Sequence, residues 1–269
     1  MSERVRYTIA EGVADVRLAR PEKLNALDVE MFLALVEASD ALRGHAAVRA
    51  VVLSGEGRAF CAGLDLAVFG NDGEKEGGAA AFAAAVLARH GDGVASVAQQ
   101  AVIGWSTLPV PVIAAVHGHA YGGGLQLALG ADIRIVAPDA RLAVMEMRWG
   151  MIPDMGGSQI LPGLVGRDVA KELTFTGRVV SGEEAMAIGL ATRVSVEPYE
   201  DARALARDIA AKSPSAIGAA KDLLNMAGTV SWEVGLLAEQ QAQRRLLGSA
   251  DQTEAVLAFL EQRPPRWNG

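Results

Sequence analysis

In Ile113-Ala-Ala-Val-His-Gly-His-Ala-Tyr-Gly-Gly-Gly-Leu-Gln-Leu-Ala-Leu-Gly-Ala-Asp132 an apolar strand runs through a glycine triplet into a helix. Glycines have no Cβ to shield the main chain, so the N–H of Gly123 can approach a ligand closely, and the helix behind it adds partial positive charge. Upstream, Val51-Val-Leu-Ser-Gly-Glu-Gly-Arg-Ala-Phe-Cys-Ala-Gly-Leu-Asp65 is a second apolar strand ending in small residues, which offers another exposed N–H at Leu64. Two such donors converging on one point make an oxyanion hole, a place where an oxygen gaining negative charge during a reaction is stabilised. The competing reading is that the glycines only let a helix pack tightly on a strand.

Other reactive side chains carry less. His117 and His119 bracket Gly118, but no Cys, Asp or Glu set with ligand spacing accompanies them, so they read as satisfied strand-end histidines. Cys61, the single cysteine, has no motif-placed base and reads as an inert packing thiol. Tyr121 either lines a pocket or packs. Neither glycine cluster completes a phosphate loop with Lys-Ser or Lys-Thr, which disfavours a nucleotide-triphosphate or dinucleotide protein.

Taken with Arg20-Pro-Glu-Lys-Leu-Asn-Ala-Leu27, Phe60-Cys-Ala-Gly-Leu-Asp65 and Ile152-Pro-Asp-Met-Gly-Gly-Ser-Gln159, the glycine block resembles the crotonase superfamily, the enoyl-CoA hydratases and isomerases, over nearly the whole chain. The resemblance implies an α/β crotonase (ClpP/crotonase-like) fold of repeated ββα units with a C-terminal helical segment. It implies an acyl-CoA thioester whose carbonyl is held by Leu64 and Gly123. It also implies a CoA-bordering set made of Lys23, Ala26, Ala62, Leu64, Asp65, Leu66, Ala67, Gly122 and Gly123. Coenzyme A would be part of the substrate, with no separate cofactor and no metal.

Hydratases of this family generally use two glutamates, one on the helix after the glycines and one on a later turn. Here the first position is Gln126, an amide that can hold a water or a carbonyl but cannot exchange a proton near neutral pH. The second is Glu146, set between Met145 and Met147 with Trp149 nearby, apolar company that would raise a carboxyl pKa. Without the resemblance Glu146 reads as a solvated strand-edge charge. Asp154 stands where hydratases usually carry glycine, and this pairing is similar to dienoyl-CoA isomerases, although those normally have an aspartate at the position of Gln126. The plain alternative for Asp154 is a helix cap.

The resemblance implies an enzyme that shifts a double bond in an enoyl- or dienoyl-CoA, with Glu146 and Asp154 moving protons and Gln126 at the third catalytic position. Hydration of a 2-enoyl-CoA is the alternative, with Gln126 positioning water. A non-catalytic acyl-CoA binder is the third reading.

The elements that must position these groups are legible in outline. Residues 6–10 and 13–19 form a hairpin around Glu11-Gly12, 28–42 has helical apolar spacing, and 48–53, 112–116 and 132–137 are buried strands. Residues 71–78 read as a mobile polar loop before a helix from about Ala79. Beyond about Glu197 four helices follow, at 201–212, 215–226, 231–247 and 251–260, so the chain divides into a core over 1–196 and a C-terminal cover over 197–269. By resemblance those helices build a homotrimer or a dimer of trimers; intrachain packing is the alternative. With 269 residues, 51% of them hydrophobic, the chain can bury a large core, and its net charge of −7 with scattered cations argues against a nucleic-acid surface. No apolar stretch is long enough to span a bilayer, the first residues lack a signal-peptide core, and one cysteine makes no internal disulfide, which together imply a cytoplasmic protein.

Overall fold

Strands β1 (Val5–Ala10) and β2 (Val13–Leu18) pair antiparallel through a two-residue turn, Glu11 and Gly12, both at positive φ (53° and 80°). That is the turn whose twist matches the strands it joins. The computed structural model describes residues 3–69 and 78–267. From β2 the sheet continues in parallel through β3 (Ala50–Gly55), β4 (Val112–Val116), β6 (Ile133–Val136) and β9 (Arg193–Val194), in the order β1-β2-β3-β4-β6-β9. All of Val112 to Val116 is buried, as expected of a parallel strand covered on both faces.

One face is covered by α1 (Val29–Arg43) and α3 (Val97–Ser106), which bury Leu35, Leu42 and Trp105 against it. Asp28 starts α1 by accepting the Met31 N–H at 2.8 Å, which satisfies a donor the helix cannot use. The opposite face takes α8 (Pro198–Ala210), whose alanines 202, 206 and 210 pack on Val52, Ala115 and Ile135. Helix α8 therefore belongs with the core. Outside it stand α9 (Pro214–Met226), α10 (Trp232–Leu246) and α11 (Ala250–Leu260), each opened by a serine cap. Buried Lys221 ties α9 down, donating to Asp132 Oδ2 at 2.8 Å and to the Val110 carbonyl at 2.9 Å.

A smaller sheet of β5 (His119–Tyr121), β7 (Arg141–Ala143) and β8 (Val180–Ser181) lies beside the first. The ββα plan recurs as β1-β2-α1, as β4-β5-α4 with α4 at Gly123–Leu129, and as β6-β7-α5 with α5 at Gly157–Val165. In the later units the second strand moves into the small sheet, and this offset opens the space where the reactive groups gather. Helices α6 (Arg167–Thr176) and α7 (Gly182–Ala187) complete the core, while α2 (Gly78–Val86) walls the cavity described below. The loop expected over 71–78 falls, except for Gly78, outside the described residues.

Candidate active site

Cys61 donates its N–H to the His119 carbonyl at 2.9 Å and accepts from the Tyr121 N–H at 3.1 Å, so the segment after β3 runs alongside β5. Gly63, at φ +87°, then lies directly on the next turn: a Cβ there would meet the Tyr121 carbonyl oxygen at 2.5 Å and approach Gly123 N to 3.7 Å. Only glycine permits that contact. On the other edge, Leu27 donates to the Gly63 carbonyl at 2.8 Å and accepts from the Asp65 N–H at 3.0 Å. Because successive strand N–H groups alternate sides, this clamp turns the Leu64 N–H away from Leu27. Gly123 is the first residue of α4, where an N–H has no intrahelical acceptor.

Leu64 and Gly123 border the same cavity, about 320 Å³, together with Gln126, Glu146 and Asp154. A second hollow of about 180 Å³ shares Leu64, Gly123 and Glu146 and is lined also by Ala62, Leu66, Tyr121 and Gly122. Lys23, Ala26, Asp65 and Ala67 line neither. Asp65 is held by Arg20 Nη1 at 2.7 Å and accepts the Ala67 N–H at 3.1 Å, while the Ala26 carbonyl accepts from Arg20 at 3.1 Å. Burial raises the Asp65 pKa, yet the Ala67 N–H and the Arg20 charge leave it below its ordinary value. Arg20, Ala26, Asp65 and Ala67 thus form a brace beside Leu64.

Sequence reasoning missed two members of that brace. Arg20 is one; the other is Asn25, fully buried, whose Nδ2 donates to the carbonyls of Glu56, Ala59 and Phe60 while Oδ1 accepts the Arg20 N–H. A buried asparagine with several backbone partners fixes a loop in a way no apolar residue can, and an asparagine inside an apolar run is the signal that marks it.

Gln126 sits one turn into α4 and is 2% exposed. Its Oε1 accepts the N–H groups of Met155 (2.9 Å) and Gly157 (3.0 Å), and its Nε2 donates to Glu146 Oε1 at 2.6 Å. Both lone pairs of the amide oxygen are therefore used, and the amino group must face the carboxylate. Glu146 opens a 3-10 turn, Glu146–Trp149, and is 6% exposed, so the solvated strand-edge reading does not hold. Met145 and Trp149 line the 180 Å³ hollow with it, although Trp149 is 53% exposed, and a Cβ on Gly122 would stand 3.4 Å from Glu146 Oε1. Glu146 Oε2 has no hydrogen-bond partner among the described residues. Burial, with the nearby Asp154 charge adding to it, raises the Glu146 pKa against the lowering effect of the Gln126 N–H.

Asp154 lies at the exposed mouth of the cavity, and the protein on its inner side still raises its pKa through desolvation. It is not a helix cap, since α5 begins after Gly156 with no side-chain cap. Burial pushes the Cys61 thiol up to about 12, and its Sγ donates to the Asn25 carbonyl at 3.1 Å, so no thiolate is available. His117 Nε2 bonds the Gly57 carbonyl at 3.0 Å, and His119 stacks on Tyr121 with ring centres 4.9 Å apart. Leu64 and Gly123 thus border one cavity with two carboxyls, a set of residues that would suit proton movement next to a carbonyl were its oxygen held by their N–H groups.

A family profile described as Enoyl-CoA hydratase/isomerase matches residues 8–269. The chain belongs to the enoyl-CoA hydratase/isomerase family. Within the crotonase superfamily it is similar to the mitochondrial methylglutaconyl-CoA hydratase of Mus musculus, 34% identical over 99% of this chain and 83% of that one. It is likewise similar to the 1,2-epoxyphenylacetyl-CoA isomerase of Escherichia coli (strain K12), 35% identical over the full length of both. The crystal structure of an enoyl-CoA hydratase from Bacillus anthracis superposes with a TM-score of 0.86 at 33% identity, covering 99% of each chain. The crotonase fold expected from the sequence is the fold observed, and the family's acyl-CoA chemistry is the frame for the cavity. Among the described residues no helix is long and apolar enough to cross a membrane.

Proposed function

We propose that this family member shifts a carbon–carbon double bond in its acyl-CoA substrate, from 3-enoyl to 2-enoyl or from 3,5-dienoyl to 2,4-dienoyl. The observation that carries this reading is the bonding of Gln126. Its carbonyl oxygen is spent on two backbone N–H groups and its amino group faces Glu146, so it supplies no acceptor to activate water. The carboxyl that shares the cavity with Glu146 is Asp154 instead.

In this mechanism the N–H groups of Leu64 and Gly123 hold the thioester oxygen, and Glu146 Oε2 removes the proton from C2. The electron pair of that C–H bond delocalises onto the held oxygen as an enolate conjugated with the existing double bond. Protonated Asp154 then delivers a proton to the distal carbon, C4 for an enoyl or C6 for a dienoyl group, and the double bonds move one position toward the thioester. Exchange of the two carboxyls with solvent resets the site. The thioester needs no further cofactor for this chemistry.

The mouse relative's name favours hydration as a second reading, in which Glu146 alone activates water. A panel of 2-enoyl, 3-enoyl and 3,5-dienoyl thioesters in deuterated water, scored by product and label position, separates the two. Conversion of 3-enoyl or dienoyl groups with label at C2 and at the distal carbon supports isomerisation; rapid loss of conjugated absorbance from crotonyl-CoA, with little turnover of the others, overturns it. Unchanged background rates in all assays after Glu146→Gln would instead favour the non-catalytic binder.

The uncovered apolar side chains of α9 to α11, Leu224, Trp232 and Phe259 among them, support a homo-oligomer built through these helices. The buried reduced thiol of Cys61 supports a cytoplasmic setting.

A further inference from the structure

The reaction proposed above uses one end of the cavity and leaves the purpose of α2 open. Its nine residues, Gly-Ala-Ala-Ala-Phe-Ala-Ala-Ala-Val, carry no polar side chain. Ala79, Phe82, Ala83 and Val86, followed by Leu87, recur at helical spacing and form one stripe, and all five line the 320 Å³ cavity. Of the helix only Val86 is fully buried, Phe82 packs in part against Phe32, and Leu87 is 55% exposed, so protein covers the stripe only in part. Across the cavity Ile152 is 66% exposed and faces the same space. Among the described residues lining it the polar side chains are Gln126, Glu146 and Asp154, and none is a cation.

We propose that this wall selects acyl groups whose tail beyond the reacting carbons is uncharged and apolar, and that it rejects tails ending in a carboxylate. The proposal rests on the acyl-CoA reading and adds to it the class of acyl group. An apolar tail would cover the α2 stripe and gain about fourfold in affinity for each methylene taken out of water. A terminal carboxylate would leave water for a wall whose described residues offer no partner of opposite charge, near the carboxyls of Glu146 and Asp154.

Calorimetric titration with saturated thioesters, which cannot react, tests this without reference to turnover. Octanoyl-CoA should bind at least tenfold tighter than butyryl-CoA, and glutaryl-CoA at least tenfold weaker than butyryl-CoA. Ala83→Lys, placing a cation in the stripe, should remove the octanoyl advantage and strengthen glutaryl-CoA, with the circular dichroism spectrum unchanged. Glutaryl-CoA binding as tightly as octanoyl-CoA, no gain from butyryl to octanoyl, or an Ala83→Lys protein of native spectrum with unaltered preference each overturns the proposal. Equal binding of all three thioesters removes only this inference, whereas failure of every thioester and of CoA itself to bind removes the acyl-CoA reading beneath it.

Discussion

Gln126 donates to Glu146 across 2.6 Å while its own oxygen is held by the Met155 and Gly157 N–H groups, so one oxygen of the carboxylate is fixed and the other, Oε2, is buried with no hydrogen-bond partner among the described residues. The amide acts on the reaction through Glu146. Replacing it by a carboxyl keeps the two backbone bonds but sets two acidic oxygens face to face, and such a pair resists full ionisation. Gln126→Glu should therefore move the acid limb of the kcat/KM profile upward by more than one pH unit. A profile that superimposes on the wild type would count against this coupling.

Glu146→Gln should reduce turnover by about 10²- to 10⁴-fold, the usual worth of a positioned proton acceptor. Its effect on stability has the opposite sign. The folded protein raises the Glu146 pKa by burial, so ionisation costs folding free energy, a cost that grows as pH rises from the unfolded value of about 4.3 to the folded value. The variant should melt higher than the wild type at pH 8, with the gap closing toward pH 4. Scanning calorimetry at the two pH values checks this, and a gap that widens on acidification would refute it.

Asp154→Asn should separate the two proton transfers. Solvent deuterium should still enter C2 of a 3-enoyl thioester through Glu146, while conversion to the 2-enoyl product falls by about 10²-fold or more. Mass spectrometry of recovered substrate reads the first, absorbance the second. Equal loss of both would place Asp154 outside the distal step.

Gly63→Ala tests the backbone contact on which the donors depend. Alanine there must hold φ +87° and meet the Tyr121 oxygen at 2.5 Å, a cost of about 1–3 kcal/mol. Displacing the Leu64 N–H should further lower turnover by about 10²- to 10³-fold. Gly44→Ala, where an added Cβ meets nothing within 4 Å, serves as the control and should behave as wild type.

Light scattering should find the protein as a homo-oligomer, and Phe259→Glu, at a site 82% exposed in the single chain, should shift it toward the monomer. A wild-type monomer at micromolar concentration would show that the apolar faces of α9 to α11 are not self-complementary.

Elements with enough residues to show a period were legible in the sequence: α1 with its Asp28 cap, the fully apolar β4, the β1-β2 hairpin. The glycines near Leu64 and Gly123 marked a close backbone approach because little else justifies them. Strands β5 and β7 were not legible, since three residues cannot display alternation and their pairing is with distant segments. The apolar company of Glu146 was legible in Met145 and Trp149, which line a hollow with it, but the side of the 3-10 turn that faces the core was not. The hydrogen-bond partner of Glu146, Gln126, stands twenty positions earlier in the chain. Asp65 and Ala67 were singled out by resemblance alone, and the partner that holds Asp65, Arg20, lies forty-five positions upstream, beyond the reach of any local pattern.

The chain's single sulfhydryl, sealed beside Asn25 and held as the neutral thiol, gives the molecule a built-in clock. Alkylating reagents reach it only when the region behind the glycine turns opens, so the speed of labelling in native buffer measures how often that happens. Slower labelling with a bound thioester would then report ligand occupancy without any dye or tag.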